Sequence, residues 1–157
     1  MANAKLKILL VDDDEIIRIY FHDIFWIYGF EDRLELAIAT NLDDAEHIVS
    51  DPEKRPDVIF LDLALPKKVG ERTLIDPKYS FDFVERVKHD PKLASVKVMI
   101  FSGHSEKEYV DEAKAKGADG YIHKEQSLLK DLIATIKAMY VAVGSHSQEM
   151  VNAVHRR

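Results

Sequence analysis

Charged and hydroxyl side chains follow directly on the short apolar runs of this sequence. Three aspartates, Asp12–Asp14, follow KILLV, and Asp62 follows VIFL. Ser102 closes the run that begins VMIF, and Lys124 comes after GYIH. Carboxylates that share a pocket repel one another unless a cation lies among them, and a lysine ammonium suits phosphoryl oxygens. If the fold brings them together, these residues predict a site for a hard divalent ion such as Mg²⁺ and a phosphoryl group.

The hydrophobic pattern predicts the strands that would position these residues. Continuous apolar runs at 7–11, 58–61 and 96–101 are typical of strands buried on both faces, and 34–39 alternates as a half-buried edge strand does. A short strand is predicted at 120–123. Helical spacing or capping residues predict a helix after each strand, at 15–28, 40–49, 81–88, 105–116 and 128–143. Repeated β–α units indicate a doubly wound parallel sheet, whose strands present their carboxyl ends along one edge.

Two finer predictions concern helices. In the first helix, Ile16, Tyr20, Ile24 and Ile27 fall on one face, and the neighbouring aromatic residues are interpreted as core or helix-face packing. These aromatic residues are Phe21, Phe25 and Trp26. Thr40 with Asp43 resembles a capping box, which would begin the second helix.

Each candidate site residue also has a plain structural interpretation. Asp13–Glu15 would serve as the cap and first turn of a helix, where acids are favourable. Asp62 and Ser102 would be turn residues, and Lys124 would be a solvated surface lysine. Taken singly, both interpretations stay open for each residue. Their shared position at strand ends that meet on one edge favours a site.

Composition excludes several functions. The chain has 157 residues, which fits one domain with its own core. Its net charge of -6 argues against a general nucleic-acid binder, and the absence of cysteine excludes disulfides and thiol chemistry. Neither a signal peptide nor a bilayer-spanning stretch is predicted. We therefore expect a cytoplasmic protein without a nucleic-acid or membrane partner.

Four segments resemble, in order, the signatures of the receiver domain of two-component response regulators, the CheY-like family. They are ILLVDDDE, PDVIFLDLALP, VMIFSGH and GADGYIHK. The resemblance covers roughly residues 5 to 142, and we expect a receiver domain at 5–143. It implies an α/β, flavodoxin-like fold: a five-stranded parallel sheet of order 2-1-3-4-5 with helices on both faces.

The resemblance also implies the roles of the acids. Asp62 would be the phosphoacceptor, receiving a phosphoryl group from a sensor histidine kinase or a histidine phosphotransfer protein. Asp13 and Asp62 would bind Mg²⁺ directly, Asp12 through water, and the backbone carbonyl of Ala64 would supply a further ligand. Asp14 and Glu15 are interpreted as the helix start.

Three further residues take their roles from the same resemblance. Lys124 would neutralise charge on the phosphoryl group, and Ser102 would hydrogen-bond its oxygens. Tyr121 would swing inward as Ser102 moves. The surface that runs from the strand at 96–101 to the helix at 128–143 would read out this change, and that face would also serve a homodimer.

The sequence departs from the family pattern in two places. Glu125 stands where the family usually has a proline in a cis bond, and a cis bond before another residue costs about 2.5–4 kcal/mol. We therefore expect a trans Lys124–Glu125 bond or a rearranged loop. The connection after the third strand carries a loop insertion near 71–80, interpreted as a surface excursion. The alternative is that it packs over the helix at 105–116 or over the phosphorylation site and tunes partner choice.

Residues 144–157 are expected to be a tail without an output domain. We therefore expect a single-domain response regulator, a shuttle or relay intermediate that acts on an unknown protein target and has at most self-catalysed phosphorylation and dephosphorylation. Whether the chain is part of a longer protein stays open. One alternative is a Mg²⁺-dependent phosphohydrolase with an aspartyl nucleophile, although Ala64 stands where such an enzyme needs an acid. The other is a pseudo-receiver, an interaction module that is never phosphorylated.

Overall fold

The computed structural model describes residues 5–27, 32–104, 106–124 and 132–139. The elements, in chain order, are β1 (Leu6–Val11), α1 (Glu15–Ile27), β2 (Leu34–Ala39), α2 (Leu42–Ser50), β3 (Val58–Leu61), β4 (Pro66–Val69), β5 (Arg72–Ile75), α3 (Pro77–His89), β6 (Lys97–Ser102), α4 (Lys107–Lys116) and β7 (Gly120–His123). Residues 132–139 are also helical. Among the described residues, no helix combines the length and the apolar character that crossing a bilayer requires.

Five strands form one parallel sheet in the order β2-β1-β3-β6-β7. With the hairpin strands β4 and β5 set aside, this is the order 2-1-3-4-5, and the predicted fold class is confirmed. β3 is buried along its whole length, because helices cover both faces of the sheet. Alternate residues of β1 and β3 point to opposite faces. One face packs against α2, α3 and α4, and the other packs against α1 and the helix at 132–139.

The predicted apolar face of α1 is wrong for Ile16 and Ile27, and the predicted packing of Trp26 is wrong, because all three are exposed. Of the other predicted residues, Ile24 is buried and Tyr20 packs against the core. The buried side chains of this helix are Ile17, Phe21, Ile24 and Phe25. Large apolar side chains are exposed on its other side, namely Ile16, Ile19, Trp26 and Ile27. Because the helix is apolar almost all round, spacing alone does not select one face. The contact with the sheet does, since Phe21 packs edge-on against Phe60 and Phe101, with ring centroids 5.5 and 5.6 Å apart.

The cap of α2 lies one residue later than the predicted Thr40. Asn41 is the N-cap, and its side-chain oxygen accepts a hydrogen bond from the backbone N–H of Asp44, 2.8 Å away. The Asn41 amide group donates in turn to the Asp44 carboxylate, at 2.9 Å. Asparagine suits a cap as well as threonine does. Because Asn41 caps the helix, the Asp43 side chain is not needed there and can bind another part of the chain.

A β-hairpin follows β3 in the stretch predicted to be a loop. β4 and β5 pair in antiparallel fashion around Gly70, whose positive φ of 65° suits the first position of a two-residue hairpin turn. The Asp43 carboxylate accepts hydrogen bonds from Lys67 Nζ at 2.6 Å and from the Lys68 backbone N–H at 3.3 Å. Residues 71–80 therefore contain β5 and the first turn of α3. These two hydrogen bonds attach the hairpin to α2.

Several predictions fall outside the described residues. These are the geometry of the Lys124–Glu125 bond, the tail at 144–157, and both ends of the helix at 128–143. The described part of that helix buries Leu132 and Ile136 completely against the sheet.

Candidate functional site

Three acids meet at the carboxyl edge of the sheet. Asp12 follows β1 and donates its backbone N–H to Ala39 O at 3.0 Å, while Asp62 follows β3 and donates to Val11 O at 3.0 Å. Both residues thus continue the ladder of their strands and are held side by side. Each of Asp12, Asp13 and Asp62 offers a carboxylate oxygen, and these oxygens all lie within 4.8 Å of one another. A hard cation with oxygen ligands fits such a cluster.

The three acids differ in burial. Asp12 is fully buried and Asp62 is 6% exposed, whereas Asp13 faces the solvent. The Asp12 carboxylate is oriented by the backbone N–H of Asp14, which donates to Oδ1 at 2.9 Å. The Asp14 carboxylate in turn accepts from the backbone N–H of Ile16 at 2.9 Å, so that Asp14 begins α1 as predicted. The negative charges are thus held between two strands and open to solvent at Asp13.

Lys124 supplies the positive charge of this cluster. Its ammonium lies 2.7 Å from Asp12 Oδ2 and 3.3 Å from Asp62 Oδ1, and its side chain is only 15% exposed. Two further contacts fix its position: the backbone N–H donates to Ser102 O at 2.9 Å, and the ammonium lies over the Phe101 ring. One lysine on the loop after β7 therefore bridges the acids of β1 and β3.

Burial and pairing shift the pKa values of this cluster. Burial raises the pKa of Asp12, and the hydrogen bonds from Lys124 and Asp14 only partly oppose it. Burial lowers the pKa of Lys124, but its hydrogen bond to Asp12 and the charges of Asp62 and Asp12 outweigh this, so that its pKa is raised overall. The ammonium therefore stays charged at neutral pH. A further cation would lower the free-energy cost of burying the charged Asp12 carboxylate.

Ser102, His104 and Tyr121 form a hydrogen-bonded group beside the acids. Ser102 is fully buried, and its hydroxyl oxygen accepts the backbone N–H of His104 at 3.1 Å. The phenol of Tyr121 donates to the backbone carbonyl of His104 at 2.6 Å. The pKa of this phenol is raised overall, because the effect of burial exceeds the opposing effect of a hydrogen bond with Ser102. The segment after β6 is thus held at both its N–H and its C=O.

Ser80 is a residue of this site that the sequence did not reveal. It lies on α3, fully buried, and its hydroxyl contacts the backbone carbonyls of Asp62 at 3.1 Å and Leu63 at 3.4 Å. It therefore holds the backbone of the central acid from the side of α3. Its only sequence signal was its place near the start of a helix. Ala64, half-buried in the bend after Asp62, keeps its role as a carbonyl ligand as a prediction.

A cavity of about 480 Å³ lies next to the acids, between α2 and the hairpin. Asp13 and Asn41 line one side, and Pro66, Lys68 and Thr73 line the other. One face of the hairpin therefore borders the exposed side of the acid cluster. This position partly matches the alternative prediction that the extra residues lie near the site.

The fold and the site define a doubly wound α/β domain whose strand ends hold an acidic cluster and a paired lysine. A family model described as the response regulator receiver domain matches residues 8–137. The chain therefore belongs to the response regulator receiver domain family of two-component systems. Receiver domains are signalling switches that accept phosphoryl groups from histidine kinases.

Similar proteins agree with this assignment. The oxygen regulatory protein NreC of Staphylococcus epidermidis is 32% identical over 136 residues, which cover 86% of this chain and 55% of that protein. The transcriptional regulatory protein DegU of Brevibacillus brevis is 30% identical over 138 residues, which cover 87% of this chain and 50% of that protein. The chain thus spans about half the length of the curated relatives it matches.

Solved structures share the fold at lower identity. A CheY-like receiver domain protein of Methanospirillum hungatei superposes with a TM-score of 0.70 and 20% identity, covering 91% of this chain and 99% of that one. The Mn²⁺-bound form of the response regulator Rcp1 gives a TM-score of 0.64 and 23% identity, covering 85% of this chain and 90% of that one.

Proposed function

We propose that this protein is a phosphoacceptor switch in which Asp62 receives a phosphoryl group from the phosphohistidine of a histidine kinase or a histidine phosphotransfer protein. One observation carries the assignment: the Lys124 ammonium contacts both Asp12 and Asp62. A buried carboxylate in contact with a lysine and two further acids matches what transfer of a phosphoryl group requires. Asp62 also follows the central strand β3, where the Val11 carbonyl and the Ser80 hydroxyl hold its backbone.

The transfer needs no other nucleophile. An oxygen of the Asp62 carboxylate attacks phosphorus, the phosphorus–nitrogen bond of the donor breaks, and the histidine nitrogen keeps the electron pair. The product is an acyl phosphate on Asp62. Lys124 is close enough to pair with a phosphoryl oxygen, as a point charge does in other phosphoryl transfers. Ser80 keeps the carboxylate in place by holding the Asp62 backbone carbonyl.

The donor set suits Mg²⁺. Asp13 and Asp62 would bind the ion directly, Asp12 through water, and Ala64 through its backbone carbonyl. Bound there, Mg²⁺ supplies positive charge that offsets the phosphoryl oxygens. The close approach of three carboxylates supports this assignment. The Mn²⁺-bound form of the similar protein Rcp1 supports it as well.

The switch would work through Ser102 and Tyr121. To hydrogen-bond a phosphoryl oxygen, the Ser102 hydroxyl turns towards Asp62 and changes its contact with the His104 N–H. The same segment is tied to Tyr121 through the His104 carbonyl. Phosphorylation thus shifts the population of two arrangements of this segment, and a partner protein reads the difference. The target is bound by the face that runs from β6, through α4 and β7, to the helix at 132–139.

The phosphorylated domain acts on a further protein. We assign the receiver domain a role as a shuttle or relay intermediate that acts on a protein target. The relatives NreC and DegU are regulatory proteins about twice as long as the matched region, so their whole activities do not transfer to this chain. A longer parent protein would add its own output to the same switch.

Intact-mass spectrometry with acetyl phosphate tests the phosphoacceptor function. We expect one phosphoryl adduct that requires Mg²⁺ and is lost in Asp62→Ala. The matched control is Asp23→Ala, which removes an exposed acid of α1 and should leave the adduct unchanged. Absence of an adduct with acetyl phosphate, with phosphoramidate and with a panel of histidine kinases would contradict the proposal.

A further inference from the structure

The outer edge of the hairpin is an unpaired strand. All four residues of β5 are exposed, while β4 lies partly against α2. The Lys68 backbone N–H points away from β5, since it donates to Asp43. In an antiparallel pair, the residue opposite such a position also points its N–H and C=O outward. The residue opposite Lys68 is Thr73. The backbone N–H and C=O of Ile75, two residues further along, point outward as well.

Nothing in the described part of the chain pairs with these outward groups. The N–H groups of Thr73 and Ile75 make no hydrogen bond to any described residue. Unpaired edges of this kind are templates for another strand unless proline, a bulge, a covering segment, charged side chains or a very short length protects them. Among the described residues, β5 has no proline, bulge or covering segment, and its protection is limited to its length of four residues and the charge of Arg72. Its side chains Leu74 and Ile75 are 37% and 63% exposed.

We propose that β5 pairs with β5 of a second copy of this chain, in antiparallel fashion, with Leu74 opposite Leu74. In this register Thr73 lies opposite Ile75 of the other copy, and the two residues exchange both backbone hydrogen bonds. Two-fold symmetry repeats this pair, because the same residues face each other on the other side of Leu74. Two hairpins then form one continuous antiparallel sheet of four strands.

Charge favours a second copy as the occupant of this edge. Arg72 and Asp76 stand two residues before and two residues after Leu74. The proposed register therefore places each Arg72 opposite Asp76 of the other copy, on the same face of the sheet. Asp76 is exposed, and it uses only Oδ1 to cap α3 through the Lys78 N–H, at 3.0 Å. Its other oxygen is left to accept from the arginine.

The expected dimer is weak. An edge of four residues is smaller than a specific, stable interface, which buries at least roughly 1,200 Å². The net charge of -6 on each copy adds a general repulsion that the two Arg72–Asp76 pairs offset only locally. A covalent trap is therefore a better probe than the oligomeric state alone.

The absence of cysteine from the chain makes such a trap specific. Leu74→Cys places two thiols directly opposite at a non-hydrogen-bonded pair, where Cα atoms about 4.5 Å apart suit a disulfide. Thr73→Cys is the matched control, because its two thiols are diagonal, with Cα atoms about 8 Å apart. Under mild oxidation of the whole protein, we expect Leu74→Cys to form disulfide dimer at least about tenfold faster than Thr73→Cys.

A charge change tests the register independently. Arg72→Glu in the Leu74→Cys chain places like charges opposite Asp76, and we expect it to slow dimer formation severalfold. Lys92→Glu makes the same change of net charge at an exposed lysine elsewhere, and should leave the rate unchanged.

Three results would overturn the proposal. One is equal or faster trapping of Thr73→Cys, which means random collision or another register. Another is a dimer seen by sedimentation that Leu74→Cys does not trap, which means another face, such as the one that runs from β6 to the helix at 132–139. The last is a partner protein that binds β5 while no homodimer forms, which means that the β5 edge pairs with that partner and not with a second copy.

Discussion

The Lys124 ammonium lies 2.7 Å from an oxygen of Asp12, a carboxylate with no solvent exposure. The same ammonium is 3.3 Å from Asp62, the proposed phosphoacceptor. One cation thus offsets the charge of two acids that burial makes unfavourable. The contact joins the loop after β7 to the ends of β1 and β3, and it gives Lys124 a structural role as well as a chemical one.

Removal of this cation is expected to destabilise the fold. Lys124→Met leaves Asp12 buried without its counter-charge, and breaking a buried pair in this way costs about 3–5 kcal/mol. The pKa of Asp12, already raised by burial, should rise further. Urea unfolding without Mg²⁺ measures the loss, and added Mg²⁺ should restore part of it. Lys116→Met breaks an exposed pair with Glu85 and should change little; an equally small effect in Lys124→Met would contradict this role.

Loss of the Ser80 hydroxyl should affect Asp62 through its backbone. Ser80→Ala removes the donor to the Asp62 carbonyl, and a buried group left without its partner costs about 1–3 kcal/mol. We also expect slower phosphorylation by acetyl phosphate, followed by intact mass, because the acid is less firmly held. Ser95→Ala, at an exposed serine, is the control. An unchanged phosphorylation rate in Ser80→Ala would mean that Ser80 contributes to packing but does not position Asp62.

Attachment of the hairpin should depend on pH. The hydrogen bond from Lys67 lowers the pKa of Asp43, while burial opposes part of this shift. Because the folded pKa is the lower one, the stabilisation is present above the ordinary carboxylate value of 3.8 and is lost as the pH falls through the lowered pKa. A pair this exposed contributes about 0.2–1 kcal/mol.

Carboxyl NMR titration measures this effect directly. In Lys67→Met the pKa of Asp43 should rise towards its ordinary value, whereas Lys78→Met, which removes an exposed lysine of α3, should leave it low. An Asp43 that titrates at the ordinary value in the unmodified protein would contradict the attachment.

Tyr121 should titrate above the ordinary tyrosine value. Burial raises its pKa, so the stabilisation from the neutral phenol is fully present below pH about 10 and is lost as the pH rises through the raised folded pKa. The difference between ultraviolet titrations of the unmodified protein and Tyr121→Phe isolates this one phenol. Titration at or below the ordinary value would contradict burial of the hydroxyl.

The same variant probes the switch. Tyr121→Phe loses the hydrogen bond to His104, worth about 0.5–1.5 kcal/mol. It should still accept the phosphoryl group, since Asp62 and Lys124 are untouched, yet transmit less of the change to β6. Amide chemical shifts around Ser102 before and after phosphorylation measure this. Equal shifts in both proteins would remove Tyr121 from the coupling.

The sequence predicted those features that depend on local pattern. Continuous apolar runs located the sheet strands, and β3 and β7 match their predicted bounds. Because parallel strands share one carboxyl edge, the same runs brought Asp12, Asp62 and Lys124 to one place. The types of these residues then indicated cation and phosphoryl chemistry.

Features that depend on tertiary contact were missed. The buried face of α1 is set by packing on Phe60, which spacing within an apolar helix does not reveal. The hairpin strands carry mixed polar and apolar residues without a clear period, and Gly70 alone signalled their turn. Ser80 acts on Asp62 only because α3 packs beside β3, a relation between residues 18 positions apart in the chain.

Chemical mapping of the phosphorylated residue tests the account most directly. An acyl phosphate is reduced by borohydride to the alcohol, so the modified aspartate becomes homoserine and is located by peptide sequencing in the mass spectrometer. After phosphorylation by acetyl phosphate with Mg²⁺, we expect homoserine at position 62, with Asp12 and Asp13 unchanged. Homoserine at either of those two acids, or a phosphoryl group that resists borohydride because it lies on Ser102 or a histidine, would contradict the account.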